Sequence, residues 1–172
     1  WDLDNTLWDG VIGDEGLEGV HVNQTMVNLI KDLDKKGILQ SVVSKNEYEL
    51  AWSKIKKEGL EEYFLYPAIH WGSKSKSISN IASKLNINID TFAVIDDSEW
   101  ERNEVSSRLP QVRVYDPENI DNLIENCSLD GLMILVSANQ MFDITKKMIP
   151  AQIKIAIQIT IPTRLHILCK RR

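Results

Sequence analysis

The chain has 172 residues, with 20 Lys plus Arg against 25 Asp plus Glu, a net charge of -5, and 43% apolar and 26% charged side chains. That balance supports a packed core, excludes a collagen-like or broadly disordered chain, and disfavours nucleic acid as a partner. The charge is uneven: residues 1–131 carry 13 basic and 24 acidic side chains, and residues 132–172 carry 7 basic and a single acid.

Trp1 runs directly into a patterned segment, so the chain is expected to begin inside a first, clipped strand. Gly10, Gly13, Gly16 and Gly19 then recur among Val11, Ile12, Leu17 and Val20, which predicts a small glycine-rich hairpin flap over residues 8–22, too short to be a cap domain. Val27, Ile30 and Leu33 recur at helical spacing before Lys36-Gly37 stops the helix, and residues 38–43 read as a buried strand. Asn46 with Glu49 reads as the capping box of the next helix, which carries Leu50 and Ile55 and loosens at Gly59, and a short strand is expected near Phe64. Ser75 or Ser77 opens a helix with Ile78, Ile81, Ala82 and Leu85 on one face, followed by a turn over 86–90 and a strand over 91–95. Ser98 with Glu101 begins another helix, residues 112–115 make a last strand, and Asp116-Pro117 starts a helix running to about Asn126.

Strands alternating with helices predict an open α/β fold around a parallel sheet. The expected division is a catalytic core over 1–127 and an unassigned basic tail over 128–172, in which Lys154-Ile-Ala-Ile-Gln-Ile-Thr-Ile161 alternates like a strand. Cys127 and Cys169 lack the spacing of a zinc site or a disulfide framework, which favours a reducing compartment and a cytoplasmic location. No apolar run approaches the roughly 20 residues of a membrane span, so neither a membrane nor export is indicated.

Chemistry gathers at the predicted strand ends. In Asp2-Leu-Asp-Asn-Thr6 the two carboxylates lie two residues apart and point to one side, a crowding that a hard, oxygen-ligated cation such as Mg2+ relieves. The same acids could equally cap a surface turn. Asp96-Asp97 stands at the carboxyl end of the 91–95 strand, where open parallel sheets bind ligands, and Asp97 has a second reading as a helix cap. Ser44 ends the 38–43 strand and could hold a phosphate oxygen or be a turn serine. Lys74, with Lys76 as its rival, precedes a helix where an ammonium would neutralise both phosphate and carboxylates. Taken in order, the set suits phosphoryl transfer in which Asp2 attacks phosphorus to give an acyl phosphate and Asp4 serves as acid and then base.

At these residues the chain resembles the haloacid dehalogenase-like phosphohydrolases, whose four motifs are similar to Asp2-Leu-Asp-Asn-Thr6, Ser44, Lys74 and Asp96-Asp97. Its stretches WDLDNTLWDGVIGDEGLEGV, VVSKN, HWGSKSKSISNIASKLNI and FAVIDDSEWERNEV resemble the FkbH-like branch over residues 1 to about 115. The resemblance implies a Rossmann-like core with helices on both faces and no large cap. It implies Mg2+ held by Asp2, Asp4 through its backbone, and Asp96 with Asp97, a phosphate pocket of Thr6, Ser44 and Lys74, and an aspartyl phosphate on Asp2. It also implies a phosphorylated small-molecule acyl donor and an acyl carrier protein onto which a glyceryl-type unit is loaded. Many members of the branch carry a cysteine just before the motif-two serine, where Val43 stands here. A plain phosphatase without acyl transfer, or a non-catalytic domain that binds Mg2+ or phosphate, are the alternative readings.

Overall fold

The computed structural model describes residues 1–120. The opening residues run as the middle strand of a sheet. The Trp1 nitrogen donates to the Ser41 carbonyl at 2.9 Å, the Trp1 carbonyl accepts from Val43 N–H at 2.8 Å, and Asp2 N–H donates to the Ile95 carbonyl at 2.9 Å. On one side lies β3 (Val43–Ser44), paired in parallel with β4 (Ala68–Ile69), and on the other β5 (Ala93–Ile95), paired in parallel with β6 (Arg113–Tyr115). Among the described residues the order across the sheet is therefore β4, β3, the opening strand, β5, β6, a doubly wound arrangement whose order reverses beside the opening strand. Ligands of such sheets sit at the carboxyl ends of the strands at that reversal, which is where Asp2 and Asp96 leave the sheet.

The crossover helices bury the stripes the sequence predicts. Helix α2 (Gln24–Lys35) is capped by Asn23, whose side chain accepts from Thr25 N–H and Met26 N–H, and it buries Met26, Val27, Leu29, Ile30 and Leu33. Gly37, at φ 78°, ends it in the left-handed conformation that glycine adopts without cost. Gln40 ties this helix to the sheet by accepting from Trp1 Nε1 and donating to the Ile30 carbonyl, both at 2.8 Å, so both polar atoms of a buried amide have a partner. Helix α5 (Glu99–Arg108) starts as predicted, with the Ser98 hydroxyl accepting from Glu101 N–H.

Several boundaries differ from the expectation. The strand expected over 38–43 is confined to β3, with Gln40 bridged to Phe64 as an isolated pair. Helix α4 (Lys74–Leu85) is capped by Ser73, not by Ser75 or Ser77, which places Lys74 in its first turn. It ends at Asn86 in the left-handed region, and a 3-10 turn takes Thr91 out of β5. Helix α3 (Tyr48–Lys57) has no capping side chain, because Asn46 is engaged elsewhere. Asp116 accepts from Glu118 N–H ahead of a short 3-10 turn, Pro117–Asn119. The remainder of the helix expected to about Asn126, Cys127, Cys169, the boundary at 127 and the tail 128–172 lie outside the described residues.

The flap is half a hairpin. Its base is one, since β1 (Trp8–Asp9) pairs antiparallel with β2 (His21–Val22). Between them the chain is helical, α1 (Ile12–Gly19), broken at Gly16 (φ 73°). The glycines suggest a turn, but burial of Ile12 and Val20 and acceptance of the Val11 N–H by Glu15 Oε1 at 3.0 Å favour a helical turn over an extended tip. Lys57 of α3 pairs with Glu18 and ties the flap to the core surface. No helix among the described residues is long and apolar enough to cross a membrane.

Candidate active site

Each of the four predicted segments delivers its residue to one place. Asp2 leaves the opening strand, Ser44 closes β3, Lys74 opens α4 and Asp96 follows β5, and all four side chains are buried. Lys74, only 3% exposed, lies 2.6 Å from Asp96 Oδ2 and 3.1 Å from Asp2 Oδ1. The rival Lys76 is exposed. A carboxylate oxygen from each of Asp2, Asp96 and Asp97 can be chosen so that all three lie within 4.8 Å of one another. Three hard oxygen donors so close together form a donor set of the kind Mg2+ takes, and one buried ammonium neutralises only part of their charge.

The electrostatics follow from burial. Desolvation pushes the Asp2 carboxyl up to about 6; Lys74 pulls it back, the Asp96 carboxylate raises it further, and a hydrogen bond from the Ser44 hydroxyl lowers it. Burial alone would lower the Lys74 ammonium, but Asp2 and Asp96 outweigh it and hold it above its usual range. Asp97 is also raised, by desolvation first and by Asp96 second.

The other predicted residues have specific partners. The Thr6 hydroxyl accepts from Asp97 N–H and donates to Asp97 Oδ1, both at 3.2 Å, so it steadies the acidic loop. Asp4 lies outside the three-carboxylate group. Its Oδ1 accepts from Trp8 Nε1 at 2.7 Å and from Ile12 N–H at 3.1 Å, and its Oδ2 accepts from Asn46 Nδ2 at 2.9 Å. Asp97 does not cap α5, which Ser98 begins. Asp96 Oδ1 accepts from Ser98 N–H at 3.0 Å, leaving Oδ2 for Lys74.

Three supporting residues escape the sequence reading. Arg102 donates from Nη1 to the carbonyls of Asp96 and Asp97, both at 2.7 Å, and pairs through Nη2 with Asp116 at 2.7 Å, clipping the acidic loop to the last strand. Glu104 accepts from the Ser73 and Ser75 hydroxyls and from Ser75 N–H, fixing the start of α4 and hence Lys74. Asn46 is the third. The only sequence signal for any of them is that Asn46 follows Ser44 by two residues, as Asp4 follows Asp2. Close in sequence to the site residues, Trp71 is 73% exposed and Trp100 67% exposed, and Lys45 sits 4.7 Å from the Trp100 ring centroid.

No protein-family model matches the chain, and no curated protein matches it. Among solved structures, the chain is similar to the N-terminal part of the protein BF1531 from Bacteroides fragilis, which contains a phosphatase domain and was crystallised complexed with Mg. The two share 28% identity and superpose with a TM-score of 0.68 over 76% of this chain. The chain spans 39% of that structure's length.

Proposed function

We propose that the chain is a Mg2+-dependent phosphohydrolase of the haloacid dehalogenase type that works through an aspartyl phosphate on Asp2. The observation that carries this reading is the buried ammonium of Lys74 set between Asp2 and Asp96 at the sheet's point of reversal. The solved relative with a Mg-complexed phosphatase domain supports it.

Asp2, Asp96 and Asp97, with the backbone of Asp4, would hold Mg2+, which when bound supplies positive charge to the phosphoryl oxygens. The Asp2 carboxylate attacks phosphorus of a phosphorylated small molecule, and the bond from phosphorus to the leaving oxygen breaks. Lys74 and the Ser44 hydroxyl balance the charge of the transferring group, Thr6 lines the same pocket, and Asp4 gives its proton to the departing oxygen. Water then attacks phosphorus, its proton passes to Asp4, and the Asp2–phosphorus bond breaks to release inorganic phosphate.

Loading of an acyl unit onto a carrier protein is a second reading. The exposed Trp71 and Trp100, close in sequence to Lys74 and Asp97, favour it, since they offer apolar surface to a bulky partner. Val43, apolar and buried, offers no thiol for an acyl-enzyme, so phosphate release stands as the primary activity.

The test is hydrolysis of a generic aryl phosphate. Wild type should turn over with Mg2+, excess chelator should abolish turnover, and Asp2→Asn should lose at least about a thousandfold in rate. Equal rates for wild type and Asp2→Asn, or none for either, would favour a non-catalytic binding domain.

A further inference from the structure

Asn46 is 4% exposed and sits where the sequence predicts a helix cap, yet its side chain turns inward. Its Nδ2 donates to Asp4 Oδ2 at 2.9 Å and to Ser44 Oγ at 3.3 Å. The geometry has a simple origin. The opening strand and β3 end side by side, so the Ser44 hydroxyl reaches Asp2 and, in the loop just past β3, the Asn46 side chain reaches Asp4.

A carboxylate oxygen has two lone-pair directions. On Asp4 both directions of Oδ1 are filled, by Trp8 Nε1 and Ile12 N–H, whereas Oδ2 accepts only from Asn46. The proton that Asp4 exchanges must therefore ride on Oδ2, along the direction Asn46 leaves open. Swinging the carboxylate away would break bonds to three different segments.

We infer that Asn46 is a positioning residue for the proton transfers of Asp4, holding Oδ2 toward the reacting phosphoryl group, with Trp8 Nε1 anchoring the opposite oxygen. The inference rests on the phosphohydrolase reading above, in which Asp4 is the acid and base. It separates the two chemical steps. An aryl phosphate releases a stable phenolate and needs little help from an acid, so Asp2 should be phosphorylated even when Asp4 is misplaced. Hydrolysis of the acyl phosphate needs Asp4 to take a proton from water, so that step should suffer.

The experiment is stopped-flow hydrolysis of 4-nitrophenyl phosphate with Mg2+ by wild type, Asn46→Ala, Asn46→Ser and Trp8→Phe, with intact-mass measurement of the quenched proteins. Asn46→Ser keeps a polar group at the buried position but is too short to reach Asp4, so it carries the test if Asn46→Ala does not fold. Both Asn46 variants should release a burst of close to one nitrophenolate per enzyme, accumulate one phosphoryl group, and then turn over about 10- to 100-fold more slowly than wild type, with KM for the aryl phosphate not raised. Trp8→Phe should show a weaker version of the same burst.

A folded Asn46 variant with wild-type turnover would overturn the proposal. So would a raised KM with no burst and no adduct, which would place the action of Asn46 on Ser44 and the bound phosphate. Absence of turnover by wild type would overturn the phosphohydrolase reading itself and this inference with it.

Discussion

Replacing Lys74 by Met tests the electrostatic core of the site without changing its volume much. Lys74 Nζ is the cation in contact with two buried carboxylates, Asp96 at 2.6 Å and 0% exposed, and Asp2 at 3.1 Å. Removing one partner of a buried ion pair costs about 3–5 kcal/mol, because the charge left behind has neither water nor a counter-ion. The escape is to bind a proton instead. At pH 7, protonating an aspartate whose ordinary value is 3.8 costs about 4 kcal/mol, so the two estimates agree. Without Mg2+, Lys74→Met should therefore lose about 3–5 kcal/mol in urea denaturation at pH 7, on the order of 10 °C in Tm.

Two features distinguish this from loss of packing. Lowering the pH to 5 makes the replacement proton easier to hold, so the deficit against wild type should shrink by about 1–3 kcal/mol. Saturating Mg2+ should also narrow it, because a cation at a hundred times its Kd contributes about 2.7 kcal/mol and has the carboxylates to itself. A deficit below about 1 kcal/mol, or one indifferent to both pH and Mg2+, would refute the reasoning.

The Asp2 carboxyl, raised to about 6, makes a further pH prediction. A raised carboxyl favours the folded state while protonated, so its contribution is full below 3.8 and is lost as pH rises through about 6, by about 3 kcal/mol in chelator. The difference in stability between wild type and Asp2→Asn across pH 4 to 8 isolates it, and a flat difference would refute it. Since a cation competes with that proton, Mg2+ affinity measured by titration calorimetry should fall about tenfold per pH unit below 6 and level off above it. Arg102→Ala removes two hydrogen bonds to backbone carbonyls and the Asp116 pair, and should cost about 2–3 kcal/mol and weaken Mg2+ binding by loosening Asp96 and Asp97, both read from Mg2+-dependent thermal melts. An Arg102→Ala protein with unchanged Mg2+ affinity would detach the clip from the metal site.

The residues of the candidate site were legible because each stands at a strand end or helix start, where local pattern and chemistry coincide. Asp2, Ser44, Lys74 and Asp96 needed only the alternation of strands and helices to be placed at one edge of the sheet. Asn46 was misread for a physical reason. Asn followed three residues later by Glu49 is a capping box to any local reading, and the side chain is instead claimed by Asp4, 42 residues away, together with Ser44. The flap was half legible: its glycines mark the two turns, but burial of Ile12 is a tertiary gain that overrides their poor helical propensity. The strand predicted over 38–43 is longer than β3 because its first part pairs only in isolated bonds, the Gln40, Ser41 and Val42 carbonyls accepting from Leu65, Trp1 and Ala68, and a continuous ladder holds only at 43–44. Arg102 and Glu104 leave no local trace, since a charged residue on a helix reads as solvated until the loop it grips is known.

The position of the opening strand ties chemistry to cooperativity. The backbone of Trp1 and Asp2 is stitched to residue 43 on one flank and residue 95 on the other, so the Asp2 carboxylate has no place until chain segments about 40 and 90 residues downstream have closed around it. A partly folded form that keeps only the local helices would hold the ingredients of the reaction and none of its geometry. The long-range contacts that close the sheet are the same ones that assemble the proposed reactive centre, so the site is complete only where the sheet is closed.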